Sequence, residues 1–213
     1  MGAEQSGGQA AAQARTERAY TALALWIGGR AILAEDRQTQ PVHNPATGEV
    51  LGQLPHARDA DLDAALEAAA AGFEIWRRTP PIERARLLRR TADRLRKHRD
   101  ALARLIVLEL GKPITDALRE TDSACDMFEW AAEEARRGYG RLIPARGAGY
   151  RLMVVPEPFG PVAAFSGWNA PSITPARKLS GALAAGCSIV IKPSEATPAT
   201  ALMIAQALAE VGL

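Results

Sequence analysis

The chain has 213 residues, 47% of them hydrophobic and 23% charged, with a formal net charge of +2. That length can build one large domain or two small ones with a sizeable core, and the composition is that of a soluble globular protein. The near-neutral balance gives no electrostatic footprint for nucleic acid, and no stretch approaches the roughly 18 apolar residues that a membrane helix needs.

Residues 1–18, MGAEQSGGQAAAQARTER, hold no apolar signal-peptide core and read as a disordered tail. Two cysteines, Cys125 and Cys187, lie far apart and fit a reducing, cytoplasmic setting. His43, His56 and His98 are scattered, and no Cys/His cluster has metal-ligand spacing.

In chain order, Ala24 to Ile27 and Arg30 to Leu33 flank Gly28-Gly29, a hairpin signal because paired glycines supply the positive φ of the turn. A turn at Pro45 to Gly48 precedes a possible short strand, Val50 to Leu54. From Asp59 to Arg77 the pattern becomes helical, with Asp59 or Asp61 as cap. Leu62, Leu66, Ala69, Phe73 and Trp76 form its apolar face. Pro80-Pro81 breaks this helix and opens the next. Ile82 to Leu110 reads as one long helix with Leu87, Leu88, Leu95, Leu102, Leu105, Ile106 and Leu110 on its inner face. Gly111 stops it, and Pro113 restarts the chain into a third helix reaching about Gly138.

Residues Tyr139 to Gly149 read as loop. Gly147-Ala148-Gly149 has the first two glycines of a dinucleotide fingerprint, but no strand precedes it. Tyr150 to Val155 reads as a strand. Two apolar runs follow, Val162 to Phe165 and Ser188 to Ile191, joined by a helical segment ending at Gly186. This strand–helix–strand unit predicts parallel pairing, with both following loops at the carboxyl edge where open α/β sheets bind ligands. Asn169 and the pair Lys192/Glu195 would then face one crevice. A last helix starts at Thr197-Pro198, with threonine as cap, and ends at Gly212. The arginines between Arg84 and Arg104 alternate with Glu83, Asp93 and Asp100 and lie largely opposite the leucines. They read as a solvated helix face rather than a nucleic-acid surface.

Several motifs stand in order along the chain. They are Asn44-Pro45-Ala46-Thr47-Gly48-Glu49, Glu109-Leu110-Gly111-Lys112-Pro113, Gly167-Trp168-Asn169-Ala170-Pro171, Leu183-Ala184-Ala185-Gly186-Cys187 and Ile191-Lys192-Pro193-Ser194-Glu195 through Thr197-Pro198. Together they resemble the aldehyde dehydrogenase superfamily over all but the first fifteen or so residues. The resemblance implies an α/β fold: the N-terminal portion of a Rossmann-like cofactor-binding domain, a parallel sheet with flanking helices, plus one arm of a bridging, oligomerising ribbon. It divides the chain into the tail (1–18), an N-terminal hairpin and helical part (19–138), the ribbon (139–160) and the start of the NAD-binding βαβα unit (161–213).

The same resemblance implies NAD, with NADP possible, as cofactor, an aldehyde as substrate and a homo-oligomer in the full-length family. It implies oxidation of the aldehyde to a carboxylic acid through a thiohemiacetal. Asn169 would be an oxyanion donor, a role suited to a neutral side-chain amide. Its bland alternative is an asparagine that merely satisfies a loop backbone. Lys192 and Glu195 would hold the adenosine ribose, and Glu195 would repel a 2′-phosphate, favouring NAD. Their bland alternative is a solvated surface pair. Ser166, Gly167, Trp168, Pro193 and Ser194 would line the same cofactor site, with Trp168 either a crevice floor or a packed aromatic. Ser166-Gly167 departs from the family's commoner Thr/Ser-Pro, and Ala170 from a frequent aromatic. Cys125 and Cys187 read as small buried hydrophobes, not nucleophiles. The family's catalytic cysteine and general-base glutamate have no counterpart here, so an inactive fragment is expected. The alternative is a non-catalytic decoy subunit pairing with a full-length relative.

Overall fold

The computed structural model describes residues 20–213; the tail expected at 1–18 lies outside the described residues. Strands β1 (Leu25–Ile27) and β2 (Arg30–Ile32) form the expected hairpin. Gly28 (φ 56) and Gly29 (φ 75) make its turn, a conformation that side-chain-bearing residues rarely accept. A second antiparallel pair follows, β3 (Thr39–His43) and β4 (Val50–Pro55). Strand β3 has no apolar alternation to announce it, since TQPVH buries only Val42. The Asn44–Gly48 turn closes on itself: Asn44 Oδ1 accepts from Ala46 N (2.9 Å) and the Asn44 carbonyl from Gly48 N (2.8 Å).

Helix α1 (Asp59–Trp76) is capped by Arg58, whose backbone N–H donates to Asp61 in the first turn (2.7 Å). Its expected apolar face is only half used. Asp61, Ala69 and Trp76 are buried, but Leu62 and Leu66 are exposed, because at its N-terminal end the helix is held through the Arg37–Asp61 pair rather than through its apolar stripe. In its C-terminal half Trp76 Nε1 donates to the Leu183 carbonyl (2.9 Å) and the Ala69 carbonyl accepts from Ser188 Oγ (2.7 Å).

The single helix expected from Ile82 to Leu110 is two: α2 (Pro81–Lys97) and α3 (Arg99–Leu110). They break at His98 (φ −103, ψ 16) within the polar run Lys97-His98-Arg99-Asp100. Leu95 and Leu102 stay seven positions apart, so the hydrophobic phase runs through the break and hides it. Gly111 ends α3 in the left-handed conformation (φ 71), as expected. Helix α4 (Ile114–Glu134) then stops short of Gly138. Helices α2, α3 and α4, with two helices later in the chain, enclose the main core around Leu88, Leu95, Leu102, Phe128, Leu179, Leu183 and Ile204.

The segment read as loop after α4 contains a strand. Residues β5 (Arg141–Pro144) pair antiparallel with β6 (Arg151–Val154), every residue of both exposed. The expected strand–helix–strand unit is present as β7 (Val162–Phe165), α5 (Ile173–Ala184) and β8 (Ile189–Lys192), with β7 and β8 parallel. Helix α6 (Pro198–Glu210) follows.

Candidate functional site

Parallel pairing aligns Phe165 with Lys192, and Ser166 N donates to the Lys192 carbonyl at 3.1 Å. Strands β7 and β8 therefore end level, and their loops leave the same carboxyl edge. The first loop carries Ser166, Gly167, Trp168 and Asn169; the second carries Pro193, Ser194 and Glu195.

Asn169 is exposed and its side chain has no protein hydrogen bond among the described residues, so its amide is free to donate outward. Gly167 lies against it: a Cβ there would sit 3.3 Å from Asn169 Oδ1. Trp168 is 59% exposed and does not pack in the core. Ser166 Oγ is buried without a hydrogen-bond partner among the described residues.

Lys192 and Glu195 form an ion pair across the second turn. The ammonium of Lys192, then the backbone, holds the Glu195 carboxyl below the usual carboxylate range. Both side chains are about half exposed (54% and 52%), so the pair adds about 0–1 kcal/mol to stability and its polar groups remain available. Ser194 is buried; its hydroxyl accepts from Ala196 N (3.2 Å) and its carbonyl from Thr197 N (3.2 Å), which tightens the turn. Pro193 stiffens it. A free amide and a Lys/Glu pair exposed on one carboxyl edge suit a ligand with both polyol and phosphate groups.

Residues that the sequence reading did not assign to the site hold both loops. Glu109 is buried at 3% exposure. Its carboxylate accepts from Tyr20 Oη (2.7 Å), Ala199 N (2.7 Å), Thr200 N (3.0 Å) and Thr200 Oγ1 (2.6 Å). It therefore caps α6, where Thr197 occupies the cap position but makes no capping bond with its side chain. Burial pushes the Glu109 carboxyl above its ordinary range, and the Thr200, Tyr20 and backbone donors pull against that shift. Burial, and then the Glu109 charge, push the Tyr20 phenol upward.

Glu120 is likewise buried and accepts from Ser172 N and Ser172 Oγ, both at 2.9 Å. Lys112 pairs with Glu120 and reaches the Asn169 carbonyl at 3.4 Å. Glu109 carried two signals: it lies in the Glu109-to-Pro113 motif, and it falls four residues after Leu105, on the apolar face of its helix. Glu120 and Ser172 lie 52 residues apart and had none.

Cys125 and Cys187 are both buried (0% and 1% exposed), and burial pushes the Cys125 thiol up to about 11. No group of three or more potential metal-binding side chains exists among the described residues, and none of their helices is long and apolar enough to cross a membrane.

The model of the aldehyde dehydrogenase family matches residues 32–213. Among similar curated proteins is the 4-(hydroxymethyl)benzenesulfonate dehydrogenase TsaD1 of Comamonas testosteroni, 48% identical over 181 residues. That match covers 85% of this chain and 38% of TsaD1. The NADP+ succinate-semialdehyde dehydrogenase GabD of Escherichia coli is 40% identical over 187 residues, covering 88% of this chain and 39% of GabD. A solved point mutant of Staphylococcus aureus betaine aldehyde dehydrogenase, in complex with NAD+, superposes with a TM-score of 0.87 at 30% identity. That alignment covers 92% of this chain and 40% of the other. The chain thus spans about two fifths of the proteins it matches. Sequence motifs, the parallel β7–α5–β8 unit and these matches agree: the chain belongs to the aldehyde dehydrogenase family.

Proposed function

We propose that this chain supplies the oxyanion donor and the adenosine-ribose half of the cofactor site for NAD(P)-dependent oxidation of an aldehyde to a carboxylic acid. The level ends of β7 and β8, fixed by the Ser166–Lys192 hydrogen bond, carry this reading, because they put Asn169 and Lys192/Glu195 on one edge. A bound nicotinamide supplies the hydride acceptor. Asn169 donates its amide N–H to the substrate oxygen as negative charge builds there, an interaction whose loss costs roughly 2.7–4 kcal/mol of transition-state stabilisation. Lys192 donates to ribose or phosphate oxygens while the ionised Glu195 accepts from a ribose diol. That carboxylate sets NAD ahead of NADP, and Lys192 softens the preference. Ser166, Gly167, Trp168, Pro193 and Ser194 border the same site.

Residues 19–138 and 161–213 serve this reading as parts of the cofactor domain, and 139–160 as the bridging ribbon. The exposed Leu142, Leu152, Met153 and Val155 favour pairing of that ribbon with a second chain. Because both cysteines are buried, residues 1–213 have no thiolate to attack an aldehyde and are expected to give no turnover alone.

Calorimetric titration of NAD and NADP into residues 1–213 tests the reading. NAD should bind, and Lys192→Ala or Glu195→Gln should weaken it by about tenfold or more. Absence of binding, or indifference to both substitutions, would overturn the cofactor assignment. Formation of reduced nicotinamide from succinate semialdehyde by the purified chain would overturn the expected lack of turnover.

A further inference from the structure

We infer that the turn between α3 and α4 is a two-sided positioning device. In it, Glu109 fixes the Lys192–Glu195 loop through the N-terminus of α6, and Lys112 with Glu120 fixes the Asn169 loop. The inference rests on the proposed reading of those loops as the cofactor and oxyanion sites.

Three observations carry it. First, Glu109 is buried with no cationic side chain hydrogen-bonded to it, an arrangement that is costly unless the carboxylate is fully satisfied. Four donors satisfy it, and two are the backbone N–H groups of Ala199 and Thr200. These are free N–H groups of a helix N-terminus, where a negative charge is favoured. Pro198 at the first helical position has no N–H to offer. The carboxylate thus holds the helix start that ends the 193–197 turn. Second, Glu120 accepts from both donors of Ser172, N–H and Oγ, at 2.9 Å, and Lys112 links it to the Asn169 carbonyl at 3.4 Å. Ser172 directly precedes α5, so this clamp sits at the far end of the Ser166–Ser172 loop. Third, Gly111 turns the chain with φ 71, which lets Glu109 and Lys112, three residues apart, address different loops. A Cβ at Gly111 would meet Pro45 Cγ at 3.4 Å, so the turn itself is packed.

A pair of ordinary core fasteners would stabilise the whole fold. A positioning device should instead show a split, each arm controlling its own loop. Backbone amide hydrogen exchange, read by mass spectrometry on residues 1–213 without ligand, separates the two. In Glu109→Gln, exchange across 194–202 should rise by about tenfold or more while 166–174 stays within about twofold. Lys112→Met and Glu120→Gln should give the reverse, and Lys112→Arg should restore slow exchange. If Glu109→Gln does not fold, Thr200→Val, which removes one donor, should show the same loop loosening in weaker form. Equal loosening of both loops by either substitution would overturn the inference. So would a rise confined to the α2–α4 core, or no change. In parallel, Glu109→Gln should weaken NAD binding with Lys192 intact. If the unaltered chain shows no NAD binding, the cofactor reading fails while the exchange split still decides the positioning claim.

Discussion

Replacing Gly186 with alanine should be among the most damaging single-methyl additions in the chain. Gly186 has φ 87, and a Cβ placed on it would lie 1.9 Å from Arg84 Nη1 and 3.0 Å from Pro158 Cγ. Two costs combine. The left-handed backbone costs a side-chain-bearing residue about 1–2 kcal/mol. Forcing the buried Arg84 aside costs about 1–3 kcal/mol more, the usual range for overpacking. Arg84 has little room to yield, since it is only 9% exposed. The total, about 2–5 kcal/mol, should lower the urea midpoint by about 1–2 M at an ordinary m-value. Unfolding followed by tryptophan fluorescence reads this directly. The two costs separate in a double-mutant cycle: in an Arg84→Ala background, Gly186→Ala should cost only the backbone part, about 1–2 kcal/mol. A loss below about 1 kcal/mol in the unaltered background, or equal losses in both backgrounds, would refute the reasoning.

Two further expectations concern stability. Arg37, chiefly through its hydrogen bonds, and then the Arg58 backbone N–H hold the Asp61 carboxyl down at about 2, against an ordinary 3.8. The folded chain therefore keeps this charge where the unfolded chain takes up a proton. Its stabilisation is complete above the unfolded value and is lost as pH falls toward about 2. Asp61→Asn should lower the melting temperature at neutral pH and flatten its decline between about pH 5 and pH 2; an unchanged acid limb would contradict this. Phe128, fully buried between α2, α4 and α5, should cost about 3–5 kcal/mol on replacement by alanine, and chemical denaturation measures it.

Legibility in the sequence followed the range of the interactions. The Gly28-Gly29 hairpin, the Gly111 stop and the β7–α5–β8 unit are written in local chemistry and short-period patterns, and all are present. The break at His98 was hidden because Leu95 and Leu102 keep one hydrophobic phase across it. Leu62 and Leu66 looked buried by spacing alone, yet near its start α1 is held through the Arg37–Asp61 pair and not through these leucines. Strand β5 was missed because its four residues, RLIP, follow the Gly138-to-Gly140 stretch with only two apolar aliphatics, whereas the equally exposed β6 lies in a longer apolar run. Within the candidate site, Asn169, Lys192 and Glu195 stood out through family motifs and loop position. The supporting role of Glu109 and Lys112, though both lie in a quoted motif, was not legible, because Glu109 meets Thr200 across 91 residues and Glu120 meets Ser172 across 52. No periodicity encodes such pairings.

The central claim is that the carboxyl edge of β7 and β8 receives a nicotinamide dinucleotide. The most direct measurement is a hydrogen-exchange footprint of residues 1–213 with and without NAD. The account predicts slowed exchange confined to two segments, 166–170 and 192–197, and, at NAD near the unaltered chain's Kd, much reduced by Lys192→Ala. Protection elsewhere, or none at saturating NAD, would contradict it.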